Sequence, residues 1–192
     1  MKRILVLASW VCLVTVLPAS AQYPRPAQAQ PPAERTERQK AAMAKGLTPD
    51  SAFVIAAAQA AFAGEMLGKM ALEKALSPEV KQFARRAADE SAKMAVGLQP
   101  ILKAQNTPEP KELDQRNKSV HEWLSRLSGA EFDRAYMSNA ASMQSNELMV
   151  YERAAQRSMN EDVKSFASKT LPLLKEQQES AMTLTKKIAG QP

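Results

Sequence analysis

One cysteine, one histidine and six glycines in 192 residues remove whole classes of chemistry. The single cysteine, Cys12, lies inside an N-terminal apolar run, so there is no disulfide framework and no thiolate metal site. His121 has no second histidine or cysteine to share a metal or to activate a nucleophile, and it reads as a surface or partly packed residue. No glycine-rich loop that could cradle a phosphate is present. Aromatic residues make up only 5% of the chain, and no segment alternates apolar with polar as a half-buried strand does. What remains is alanine, methionine, leucine and charge, the material of helices.

The first residues have the plan of a secretory signal. Lys2 and Arg3 precede an apolar run from Ile4 to Leu17, followed by Ala19-Ser20-Ala21. Residues 1–21 are therefore expected to be removed, leaving a mature chain that starts at Gln22 in the periplasm. The run is shorter than the roughly 20 residues of a membrane span, so no span is expected after cleavage. Trp10 and Val11 stand before Cys12 where a lipoprotein signal carries small residues, which argues against lipidation.

Residues 22–47 are rich in Pro, Ala and Gln and read as an extended, disordered linker ahead of a domain at 48–190. The formal net charge is +6, and loss of Lys2 and Arg3 leaves +4. Five basic and two acidic residues between Gln22 and Gly46 account for +3 of it, leaving +1 for the rest. A nearly neutral domain has no basic face for phosphates, so nucleic acid is not an expected partner.

Helix starts recur from Thr48 onward. Thr48-Pro49 and Ser77-Pro78 pair a capping hydroxyl with proline at the first helical position, Ser128 and Glu131 have capping-box spacing, and Asn160 can cap a last helix. The pattern predicts long helices at 49–75, 78–104, 129–157 and 161–189, with a shorter one near 110–127. Pro100 is expected to bend or end the second, and Pro172 to kink the last. Glu79-Val80-Lys81-Gln82-Phe83-Ala84 is echoed by Asp162-Val163-Lys164-Ser165-Phe166-Ala167, each opening the second helix of a hairpin. The fold class is thus all-α, an antiparallel four-helix bundle of two related hairpins joined by a short connecting helix.

Steps of four and three along each long helix give four stripes, and each stripe is polar near its middle. The polar positions are Glu65, Ser91, Gln144 and Gln177, at similar heights given ~1.5 Å per residue. One inward polar side chain per helix suits a cofactor or metal; equally, it suits a hydrogen-bonded layer that fixes helix register. A cluster in which Gln144, Gln177 and Ser91 donate to Glu65 is the expected arrangement, since an unpaired buried carboxylate is costly.

From about Asp50 to Ile188 the chain resembles the bacterial envelope family called domain of unknown function 4142, placed with ferritin-like four-helix bundles. The resemblance rests on "DSAFVIAAAQAAFAGEMLG", "SPEVKQFA", "LSGAEFDRAYM", "VYERAA" and "VKSFASKTLPLL". It implies a metal site with glutamate at position 65 and histidines at 91, 144 and 177. This chain keeps Glu65 and departs at the other three, with Ser91, Gln144 and Gln177. Neutral amides and a hydroxyl are weak donors to first-row metals, and Glu90 and Glu147 could add only two carboxylates.

No metal or other cofactor and no catalytic constellation is therefore expected. The leading reading is an exported, non-enzymatic bundle with a degenerate ferritin-like metal site and an unidentified protein or small-ligand partner. The alternative is a metal-binding or redox-active bundle taking Fe, Mn or Cu through Glu65, neighbouring carboxylates or methionines. The methionines, among them Met66, Met70, Met94 and Met137, read first as core filler.

Overall fold

The computed structural model describes residues 47–190, and within them it is helical, without strands. The expected signal and all but the last residue of the expected linker lie outside the described residues. The helices are α1 (Pro49–Lys74), α2 (Pro78–Ala104), α3 (Gln115–Ser125), α4 (Gly129–Arg157) and α5 (Glu161–Ala189). Three of the four anticipated caps form. Thr48 Oγ1 accepts from Ser51 N, Ser77 Oγ from Val80 N, and Asn160 Oδ1 from Asp162 N and Val163 N. Asp114, which the pattern did not single out, caps α3 by accepting from Asn117 N at 2.8 Å. Ser128 makes no side-chain cap bond. The chain enters α4 through Gly129 at φ 59°, a left-handed conformation open to glycine.

Neither internal proline ends its helix. α2 runs through Pro100 and α5 through Pro172. In the turn before Pro172 the hydroxyls of Ser168 and Thr170 donate to carbonyls four residues back, both at 2.8 Å, a back-bonding that favours bending there.

Within each hairpin the helices pack intimately, α1 on α2 and α4 on α5. The hairpins then meet along two thinner seams, α2 with α5 and α1 with α4. α1 is long and apolar enough to cross a membrane, with mean hydropathy 1.3. Its apolar arc is used internally, and buried core helices meet the same criterion.

The sequence echo is a structural repeat. Val80 and Val163 are 83 residues apart, and both are wholly buried in the first turn of the second helix of a hairpin. The same spacing separates Asp50 from Asp133 and Ser77 from Asn160. Asp133 Oδ1 and Oδ2 accept from Leu76 N (3.0 Å) and Ser77 N (2.7 Å), while Asp50 Oδ2 accepts from Asn160 N (3.1 Å). Each hairpin therefore lends an aspartate from its first helix to the turn of the other.

The interior falls into two apolar clusters. One gathers Phe53, Leu98, Tyr151, Val163 and Leu174; the other gathers Phe83, Leu124, Phe132, Tyr136 and Met137. Between them, at mid-height, lie Ser91, Gln144 and Gln177.

Candidate functional site

Three of the four anticipated residues are interior. Ser91, Gln144 and Gln177 are each buried, at 6%, 7% and 8% exposure, and they divide the two apolar clusters. The Ser91 hydroxyl lies against Gly64, so close that a methyl group on Gly64 would strike it.

Glu65 does not join them. Its carboxylate turns along the helix surface to Lys69 Nζ, 2.5 Å away, in an i,i+4 pair. The buried arc of α1 runs through Phe53, Val54, Ala57, Ala58, Ala61, Gly68 and Ala71. The stripe read from the sequence, Val54, Ala58, Ala61, Glu65, Gly68 and Leu72, shares Val54, Ala58, Ala61 and Gly68 with this arc, while Glu65 stands at its edge with its side chain 29% exposed. The cluster expected around Glu65 is thus replaced by a different one. An exposed pair of this kind contributes little, so Glu65→Ala should change the unfolding free energy by less than about 1 kcal/mol in urea titrations. A loss of several kcal/mol would show that the carboxylate is buried after all.

Glu90, a neighbour of the stripe, takes the inner place instead. Its Oε2 accepts from Gln177 Nε2 across the α2–α5 seam. Glu90, Gln144 and Gln177 line a cleft of about 20 Å³ together with Phe83, Arg86 and Ser180. That is room for about one water molecule. Gln144 Oε1 is buried there without a hydrogen-bond partner. At the cleft mouth Arg86 donates to Ser180 Oγ at 3.3 Å.

Glu147 also turns inward, and periodicity gave only a weak hint of it. Part of its side chain remains accessible, but Oε1 is enclosed and unpartnered. Burial pushes its carboxyl up from 4.5 to about 7. Burial, and secondly the charge of Glu147, push the Tyr151 phenol far above its ordinary value.

The donor set can be tested against the metal site that the resemblance implies for relatives. Among the described residues no three of His, Cys, Asp and Glu come together in a group that could hold a metal ion. Glu65 is engaged with Lys69, Glu90 with Gln177, and the remaining groups are amides and a hydroxyl. These residues do not fit an imidazole–carboxylate centre. His121 stands apart on α3, half-buried. The methionines are dispersed, Met94 in one apolar cluster and Met137 in the other.

The Phe132-Asp133-Arg134-Ala135-Tyr136 stretch lies in the first turns of α4, where Asp133 holds the α1–α2 turn. A family model described as "Domain of unknown function (DUF4142)" matches residues 33–184. The chain belongs to this family. The match takes in α1 to α4 whole and nearly all of α5. No curated protein and no solved structure matches the chain.

Sequence reasoning about DUF4142 residues missed Asp133 as an anchor, although the offset of 83 from Asp50 was there to be read. What hid it was its polarity: a carboxylate in the second turn of a helix looks like a solvent-facing N-terminal charge.

Proposed function

We propose that this DUF4142 chain is an exported, ferritin-like four-helix bundle that works without catalysis, with an interior polar layer that fixes the pairing of its two hairpins. The observation that carries the reading is the bond from Gln177 to Glu90 across the α2–α5 seam. It engages the carboxylate nearest the layer, while Glu65 is held outside by Lys69. A part-buried polar contact between two helices favours one register over its neighbours, because a slip would strand both groups without partners. Function then lies with a protein or small-ligand partner rather than with a metal ion. Export rests on residues 1–21 and predicts a mature N-terminus at Gln22, which N-terminal sequencing of the periplasmic fraction checks directly.

The test of the layer is elemental analysis. The mature chain, without a histidine tag, is incubated with Fe(II), Mn(II), Zn(II) or Cu(I) and then desalted. Metal at background level, in wild type and in Glu90→Ala alike, is the expected result. A near-stoichiometric metal that is lost in Glu90→Ala or Glu65→Ala would instead make the layer a metal site and overturn the proposal.

A further inference from the structure

From Lys103 to Trp123 no residue is buried, and Leu124 is the first that is. Each of the four long helices buries seven to nine residues, whereas α3 buries Leu124 alone. Val120, Trp123 and Leu127, at steps of three and four around it, pack against the second apolar cluster but stay partly accessible. α3 thus grips the bundle by one narrow edge. It rests across α1 and α4, where the first ends and the second begins. There Lys74 Nζ donates to Ser125 O at 2.8 Å and stands 5.9 Å from the centre of the Phe132 ring.

Taking α3 away would not take the cluster apart, because it also holds Leu67, Phe83, Tyr136 and Ile188, one from each long helix. α3 itself has 11 residues, too few to stay helical in water without a surface to lie on. Docking and helix formation are therefore one event. The joints suit it. Among the described residues, left-handed backbone is found at Asn106 (φ 50°) and Gly129 (φ 59°), which bracket the segment. Asn and Gly adopt that conformation at least cost. Nor is the connection taut. Asp133 fixes the start of α4 beside the α1–α2 turn, so the chain after α2 must return the length of that helix, about 40 Å. Residues 105–114 and 126–128 can together extend by about 40 Å, and α3 adds about 16 Å. α3 can leave without parting the hairpins.

We propose that α3 is a strap that opens as a unit of its own. It lifts from α1 and α4 and unravels while the four long helices stay paired, and it bares the apolar surface that Leu124 covers. Opening free energies within one fold scale with the apolar contact each unit buries, and α3 stands at the low end. The polar layer at mid-height takes no part, so the strap holds whether or not that layer binds a metal.

The chain supplies its own reporter, since its two tryptophans are Trp10, in the expected signal, and Trp123, on α3. In the chain from Gln22, Trp123 fluorescence therefore follows α3, while far-UV circular dichroism follows the bundle. Leu124→Ala removes the one wholly buried anchor and should raise the opening constant of α3 about 100-fold or more.

The experiment is a urea titration read by both signals, with amide hydrogen exchange of wild type and Leu124→Ala in buffer. The expected result is a Trp123 transition that is complete before most of the helical signal is lost. In the variant, α3 amides should lose protection without urea while amides of the long helices keep theirs. Coincident transitions in wild type would overturn the strap, and so would a variant whose α3 and long helices lose protection together. If Leu124→Ala does not fold, exchange of wild type in low urea decides. α3 amides that share one opening, less steep in urea than global unfolding, support the strap. α3 amides that exchange only by global unfolding, or singly and without urea dependence, sink it.

Discussion

Asp133→Ala is expected to lower the unfolding free energy by about 3–5 kcal/mol, enough to leave a domain of ordinary stability marginal. Asp133 is only 4% exposed, and its two oxygens accept from Leu76 N and Ser77 N in the turn between α1 and α2. Truncation leaves both N–H groups facing a void, and each charge-assisted bond lost contributes more than an ordinary one. Its counterpart Asp50 accepts from Asn160 N alone, and that bond is exposed, so Asp50→Ala should cost no more than about 1 kcal/mol. The two variants form an internal control, because they remove the same side chain from equivalent places in the repeat. Urea unfolding with an unchanged m-value checks both. Equal effects would mean that the turn is held by something other than the aspartate. Asp133→Asn keeps one acceptor and should fall between wild type and Asp133→Ala.

Gly68→Ala should destabilise by about 1–3 kcal/mol, although alanine in a helix is ordinarily favoured over glycine by about 1 kcal/mol. A Cβ at Gly68 would stand 2.8 Å from Ala88 Cβ and 2.9 Å from the backbone oxygen of Ala84. Backbone cannot rotate aside as a side chain does, so α1 and α2 would have to part. Gly64→Ala meets only the Ser91 side chain and can be relieved by rotating the hydroxyl, with a smaller effect. Thermal unfolding of the pair separates backbone crowding from propensity. A Gly68→Ala protein more stable than wild type would show that the helices have room the packing does not suggest.

These two sites mark where sequence reading succeeds and where it stops. The all-α class and four of the five helices, to within a residue, follow from local rules: a capping side chain, proline at the first turn, apolar steps of three and four. Such rules involve residues a few positions apart, so the chain alone determines them. The paired hairpins were legible for the same reason, as one repeated hexapeptide whose valine must be buried in each first turn. The polar layer was legible as a height along the helices, and Ser91, Gln144 and Gln177 lie at it.

What periodicity does not carry is the rotation of each helix about its own axis. One residue turns a side chain by about 100°, so an error of a fraction of a step moves Glu65 from core to flank and Glu90 from flank to the α2–α5 seam. That rotation is decided by the neighbours: Gly64 and Gly68 draw α2 close to one side of α1, and Tyr151 wedges between Phe53 and Phe166 on the other. The same holds for Asp133, whose two partners stand 56 and 57 residues away and become its partners only when the hairpins meet. The sequence by itself determined which segments are helical, how long they are and that they come as a repeated pair. Only the tertiary structure decided which carboxylates face inward, because that depends on packing between segments far apart in the chain.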